Sequence, residues 1–186
     1  MELVLLGLIV LAAVVAVVIY NRLVALRQSV ASAGGDIDVQ LRQRYDLVPQ
    51  LVETVKGYAQ HESTVLETLT QARAAVAQAA TPADKMAAEA GLGRAIGGLI
   101  AVAEAYPDLK ASANFQMLQT QLMDIENKIA AARRFLNNSV REYNAALEQF
   151  PAIFFAARLG FQPASFYDLP ADRAAELTEP VKVSFK

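Results

Sequence analysis

The only histidine of the chain, His61, is the residue best suited to catalysis or metal binding, and Glu62 follows it directly. A zinc-protease helix needs a second histidine, and a di-iron bundle needs paired Glu-x-x-His motifs. A Ser-His-Asp triad would also depend on His61, but no nucleophile elbow accompanies it. We therefore interpret His61 as a solvated or capping residue. We expect the His61→Gln variant to complement a deletion strain at matched protein level, and loss of complementation with the fold intact would contradict this.

Four glycines close together, Gly91, Gly93, Gly97 and Gly98, have the composition of a phosphate loop. No strand pattern precedes them, as a phosphate loop requires. Gly93 and Gly97 are four residues apart and share one helix face, where the lack of side chains favours close approach of another helix. Close packing is the interpretation that we prefer.

Several polar residues fall on or beside apolar stripes of helical spacing. We expect some of them to form partly buried, hydrogen-bonded pairs that fix the helix register. A carboxylate site for calcium or magnesium is the alternative, but no oxygen-rich loop of suitable spacing is present. These residues are Glu104, Glu126, Arg133, Asn137 and Asn144.

Composition excludes several other classes of function. The chain has no cysteine, which rules out disulfides, thiolate catalysis and cysteine-ligated metals. Its 17 basic and 19 acidic residues are scattered, without the basic stripe of a nucleic-acid surface. The sequence therefore predicts a protein that is not an enzyme, with no catalytic, cofactor-binding or metal-binding residue, no cofactor and no nucleic-acid partner.

The N-terminal segment between Leu3 and Tyr20 is uncharged and long enough to span a bilayer, at roughly 27 Å for a helix. A cleaved signal peptide and a buried core helix are the alternatives. A signal peptide should begin with basic residues, whereas Glu2 precedes this segment and Arg22 and Arg27 follow it. We therefore expect an uncleaved, single-pass anchor in the bacterial inner membrane. The two arginines favour a cytoplasmic bundle with the N-terminus outside.

Apolar residues at steps of three and four predict an all-α fold, an antiparallel bundle of three long helices beyond the anchor. The first helix is expected to run from Ile37 to about Ala80 with a kink at Pro49 and a break of the stripe at Ser63. The second should follow the cap at Thr81, over residues 82–105, and the third should cover residues 112–149. A short C-terminal helix and an extended tail complete the architecture.

The predicted domains are an anchor and juxtamembrane segment at residues 1–28, a helical bundle at residues 29–162 and a tail at residues 163–186. In the tail, the segment from Val181 to Phe185 alternates apolar and polar residues like a strand. The phenylalanines from Phe150 to Phe166 are interpreted as core, with an exposed contact patch as the alternative.

Beyond these patterns, the chain from Tyr20 to about Phe166 resembles the LemA family. The resemblance is most specific in IDVQLRQRYDLVPQLVETVKGYAQHE, which begins at Ile37, and continues in EAYPDLKA, IENKIAAARR, VREYNAALEQFP and the terminal PVKVSF. Gly34 and Gly35 depart from the alanine–tryptophan step usual in the family and predict a local hinge. The resemblance implies one N-terminal span and a helical bundle, and it implies no enzymatic activity.

Three hypotheses of function follow. The leading one is a structural or membrane-organising scaffold whose anchored bundles form homo-oligomers, because tethering in a plane raises local concentration. The second, which the family also implies, is an adaptor of a membrane protease or envelope-stress system that binds through the C-terminal region, for example by adding a strand to a sheet. The third is a hydrolytic or metal-dependent enzyme.

Overall fold

A computed structural model of the protein describes residues 1–59 and 62–167. Five α-helices follow one another along the chain: α1 (Glu2–Lys56), α2 (Ser63–Gln78), α3 (Pro82–Ala103), α4 (Pro107–Ala111) and α5 (Ala113–Glu148). Two 3₁₀ turns follow α5, at Ala152–Phe154 and Ala157–Leu159. The all-α class and the long apolar N-terminal helix are confirmed.

The helix expected from Ile37 to Ala80 is divided in the structure, and the prediction of a single helix here is wrong. α1 ends at Lys56, where the amides of Tyr58 and Ala59 both turn back to the carbonyl of Val55. α2 begins at Ser63, the position at which the apolar stripe is interrupted. Pro49 lies inside α1 and does not end it, as expected. The helix is also continuous through Gly34 and Gly35, where we expected a hinge.

The start of α3 matches its sequence signals. The Thr81 hydroxyl accepts a hydrogen bond of 3.1 Å from the amide of Asp84, and Pro82 occupies the first helical position. Because proline has no amide hydrogen to satisfy there, the helix begins without a lost hydrogen bond. The turn expected near Tyr106 continues into the short helix α4.

The described chain forms two compact units. The first, here called the span unit, contains residues 1–39 and 129–167. It contains a buried cluster around Leu23, against which partly buried Ile19, Leu26 and Val30 of α1 pack. The buried members of that cluster are Leu23, Tyr143, Ala146, Leu147, Ala152, Ala156 and Phe161.

The C-terminal part of the span unit reverses direction after α5. Gly160 has a φ of 80°, the left-handed conformation that glycine adopts without strain. Residues 161–167 then return along α5, with Ala164 bonded to Asn144 and Tyr167 bonded to Asn137. The expected short C-terminal helix is therefore replaced by the two 3₁₀ turns.

The second unit, here called the Arg44 unit, covers residues 40–128 among those described. Thr54 of α1 bonds to Asn114 near the start of α5, and Arg44 bonds to Glu126 further along it. The two helices are therefore antiparallel within this unit. Its core is apolar and includes Val48, Leu51, Val55, Leu69, Leu92, Leu99, Leu109 and Leu118.

Candidate functional site

Arg44 of α1 lies at the centre of a buried cluster of charges. Its Nη2 atom donates to Glu89 Oε2 of α3 at 2.6 Å and to the Glu89 backbone carbonyl at 3.0 Å. Its Nη1 atom donates to Glu126 Oε1 of α5 at 2.9 Å. The side chains of Arg44 and Glu89 are 4% and 3% exposed, whereas that of Glu126 is 44% exposed. One guanidinium thus joins three helices.

Burial and ion pairing change the pKa of the Arg44 guanidinium in opposite directions. Burial alone would lower the pKa of the guanidinium, but the hydrogen bonds and negative charges of Glu126 and Glu89 outweigh it and raise that pKa. The group stays positively charged at any physiological pH. Its Nε atom is buried and has no hydrogen-bond partner among the residues that the structure describes. A guanidinium held in this way can orient helices, but it offers neither a nucleophile nor a proton at neutral pH.

Sequence reasoning identified Glu126 but missed Arg44, to which it is bonded, and Glu89, the other partner of Arg44. A signal for both was available. Arg44 lies three residues after Leu41 and four before Val48, both buried, and Glu89 lies three residues before buried Leu92. Each charge is therefore in phase with a buried stripe, and two opposite charges in such positions on different helices predict a buried ion pair.

Three of the other four polar residues singled out from the sequence contact the returning segment of the span unit. Asn144 donates to and accepts from the backbone of Ala164, both at 2.9 Å. Asn137 makes the same pair of bonds with Tyr167, at 3.2 and 2.8 Å, and Arg133 lies 4.9 Å from the centre of the Tyr167 ring. Glu104 is exposed at the end of α3. The expected polar pairing is real, but here it fixes a non-helical segment.

The phenylalanines after α5 divide into buried and exposed ones. Phe161 is 2% exposed, and its ring meets Tyr20 edge to face at a centroid distance of 5.5 Å. Phe150 and Phe154 are 81% and 69% exposed, and their rings meet each other at 5.8 Å. The core interpretation is therefore wrong for this exposed pair, and the contact-patch alternative describes it.

A surface groove and the acidic residues are further features of the described part of the chain. A surface groove of about 370 Å³ in the Arg44 unit is lined by Gln43, Asp46, Leu47, Gln50, Gln121, Asp124 and Ile125. Within residues 1–59 and 62–167, histidine, aspartate and glutamate form no group of three that could hold a metal ion. His61 and the segment from Val181 to Phe185 lie outside the described residues, so both predictions about them stay predictions.

The glycines of α3 differ in what surrounds them. A Cβ atom at Gly93 would lie 3.5 Å from Arg44 Nη1, so this glycine faces the charge cluster. A Cβ atom at Gly97 or Gly98 would meet nothing within 4 Å. Among the residues that the structure describes, no helix makes the close approach expected at Gly97.

Comparison with known proteins gives one family and three relatives. The sequence model of a family described as "LemA family" matches residues 33–185. Magnetosome protein MamQ of Magnetospirillum gryphiswaldense is 31% identical over 97 residues, which are 52% of this chain and 36% of that protein. Magnetosome proteins MamQ 1 and MamQ 2 of Paramagnetospirillum magneticum are each 30% identical over 82 residues, 44% of this chain and 30% of each relative. The aligned stretch thus spans about a third of these relatives.

Proposed function

The chain belongs to the LemA family, and from this we propose that it is a non-enzymatic, membrane-anchored scaffold whose bundles associate laterally. In this proposal residues 3–20 of α1 cross the bacterial inner membrane once. This segment is a candidate span by length and composition and is not buried by the rest of the chain. The aligned residues cover about a third of the magnetosome relatives, so the scaffold proposal rests on the surfaces of this chain.

The outward face of α3 is the observation that carries the lateral association. Four buried residues at steps of three and four, Leu92, Ile96, Leu99 and Ala103, attach α3 to its unit. Yet only 28% of its most apolar stretch is buried, and no side chain or neighbouring element of the described residues lies within 4 Å of a Cβ atom built at Gly97 or Gly98. An apolar helix face with small residues is the type of surface against which a second helix packs closely. Tethering in a membrane makes such contacts intermolecular at high effective concentration.

The absence of cysteine allows a direct test by cross-linking in native membranes. A Gly97→Cys side chain fits, because the space around its Cβ atom is open. We expect a short bis-maleimide to join Gly97→Cys chains into dimers. Thr120→Cys, on an exposed position of α5, is the matched control and should remain monomeric. A monomeric Gly97→Cys protein, with its thiol accessible to a single maleimide, would refute the proposal.

The second candidate function is an adaptor that binds another membrane protein, such as a protease. Exposure of Phe150 and Phe154 favours it, because contiguous apolar side chains mark contact surfaces. The two candidates place the interaction on different units, α3 for the scaffold and the turns after α5 for the adaptor. The orientation proposed for both is a cytoplasmic bundle, since Arg22 and Arg27 follow the span.

A further inference from the structure

The two 3₁₀ turns after α5 form an exposed apolar surface at the end of the candidate span. This surface, here called the aromatic tip, consists of Phe150, Ile153, Phe154 and Leu159, which are between 50% and 81% exposed. We infer that the aromatic tip inserts into the lipid interface of the same bilayer that α1 spans, as a second, non-spanning membrane contact. The inference rests on the proposed function, because it requires α1 to be a membrane anchor.

Packing within the span unit fixes the position of the tip. Tyr143 and Leu147 of α5 share a buried cluster with Leu23, and Ile19 packs against the same cluster. Leu23 lies three residues beyond Tyr20, or about 5 Å along the helix axis from the predicted end of the span. α5 therefore ends beside that boundary, and the turns that follow it lie there.

Phe161 ties the turns directly to the boundary residues. Its ring contacts Tyr20 edge to face, and the guanidinium carbon of Arg27 lies 5.1 Å from its centre. Tyrosine and arginine are the side chains that accumulate where the hydrocarbon meets the headgroups. The tip residues therefore lie within reach of lipid without any movement of the helices.

The chemistry of the segment suits lipid better than water. Residues 149–167 contain five of the eight phenylalanines of the chain, and their single charged residue is Arg158. Arg158 is exposed, as is Arg22 of α1, and these cations can pair with lipid phosphates. Glu148 and Asp168 are the acidic residues that flank this segment in the sequence. Apolar side chains with basic neighbours are typical of segments that lie in a membrane interface.

The test uses fluorescence of the full chain, which has no natural tryptophan. Single tryptophans are introduced as Phe154→Trp and Ile153→Trp in the tip, Leu11→Trp within the span and Phe135→Trp as a control. Phe135 is also exposed, but it lies about 20 Å back along α5 from the tip. Each variant is reconstituted into phosphatidylcholine–phosphatidylglycerol vesicles with lipids brominated either near the headgroup or near the acyl-chain end.

We expect shallow bromine to quench both tip tryptophans at least two-fold more than Phe135→Trp. Deep bromine should quench Leu11→Trp most strongly. Tip tryptophans that acrylamide quenches as fully as Phe135→Trp, while Leu11→Trp is quenched by lipid, would overturn the tip inference and leave the anchor intact. Tip tryptophans shielded from both acrylamide and lipid would also overturn it, because a protein then covers the tip. Failure of lipid to quench Leu11→Trp would instead refute the anchor.

Discussion

Both units contain polar groups next to an apolar core, but the hydrogen-bond partners of these groups differ in chemistry between the two units. In the Arg44 unit the guanidinium of Arg44 and the carboxylate of Glu89 are both almost fully buried and form an ion pair. In the span unit, neutral asparagine side chains of α5 pair with the backbone of the returning segment. A charge pair is strong but depends on both partners being present, whereas a neutral amide costs less to bury alone.

This difference fits the surroundings proposed for each unit. A charged group within the hydrocarbon of a bilayer carries a high free-energy cost, and a neutral amide avoids most of that cost. Asn144, close to the C-terminal end of α5, therefore suits the part of the span unit that we place next to lipid. Arg44 instead fixes the relative orientation of α1, α3 and α5, because its planar guanidinium donates hydrogen bonds only to acceptors in fixed positions. The variants below test this contrast, beginning with the largest expected effect.

Replacing Ile129 by aspartate should disrupt the apolar core at the start of the α5 portion of the span unit. Ile129 is 1% exposed, so the change removes apolar contacts and buries a carboxylate without a partner. We expect a loss of more than about 4 kcal/mol in the free energy of unfolding, the exceptional end of the range for single substitutions. Chemical denaturation in detergent, followed by helical circular dichroism, measures it. A loss below about 0.5 kcal/mol, the surface range, would contradict the burial.

Arg44→Met should destabilise the Arg44 unit by about 3–5 kcal/mol, because it leaves the buried carboxylate of Glu89 uncompensated. The Arg44→Met/Glu89→Met double variant should recover most of that loss, since an apolar pair of similar volume can replace a buried ion pair. Glu126→Gln is the matched control. Its side chain is 44% exposed, so it should cost at most about 1 kcal/mol. A double variant no more stable than Arg44→Met would show that the cost comes from packing and not from the charge.

Whether the sequence predicted a feature depends on how far apart in the chain the interacting residues lie. Helix type and most of the core of α5 are local, since apolar residues at steps of three and four identify the buried face. The break after Lys56 was misread because the stripe resumes in α2 with only Ser63 out of pattern. The ion pair of Arg44 and Glu89 joins residues 45 apart. The buried stripes indicate that each residue faces a core, but the pairing of the two follows only when the helices lie side by side.

The candidate site shows the same limit. Asn144 and Asn137 were identified because they lie beside a stripe, but their partners are backbone atoms of a segment with no helical pattern. The exposure of Phe150 and Phe154 could not be read from composition, because phenylalanine is as common in cores as in contact surfaces. Gly160 reverses the chain, and Phe161 directly after it packs against Tyr20, a contact between residues far apart in the sequence.

Asn144→Ala should loosen the returning segment without unfolding the helices. The amide and carbonyl of Ala164 would each lose a 2.9 Å partner. We expect a local cost of about 1–2 kcal/mol, which corresponds to roughly ten-fold faster hydrogen exchange at residues 161–167. Hydrogen exchange with mass spectrometry measures this. Asn138→Ala, at an exposed position of the same helix, should leave the exchange unchanged. Equal exchange in the two variants would mean that the asparagine does not hold the segment.

The smallest expected effect is a pH dependence that arises within the Arg44 unit from Tyr106. Its hydroxyl donates a 2.7 Å hydrogen bond to Glu62 Oε1. This hydrogen bond, with smaller contributions from burial and from the charge of Glu62, raises the pKa of the Tyr106 hydroxyl above its ordinary value of 10.0. Since the folded pKa lies above the unfolded one, the contribution of this hydrogen bond to stability is fully present below pH 10.0 and is lost as the pH rises through the raised value.

Tyr106→Phe should therefore have a slightly lower Tm than the natural chain at neutral pH, and the two melting temperatures should converge under strongly alkaline conditions. The matched background is Glu62→Gln, in which Tyr106→Phe should change Tm less because the acceptor is no longer charged. A difference between natural chain and Tyr106→Phe that persists unchanged above the tyrosine titration would show that the ring contributes through packing alone, without a proton-linked hydrogen bond.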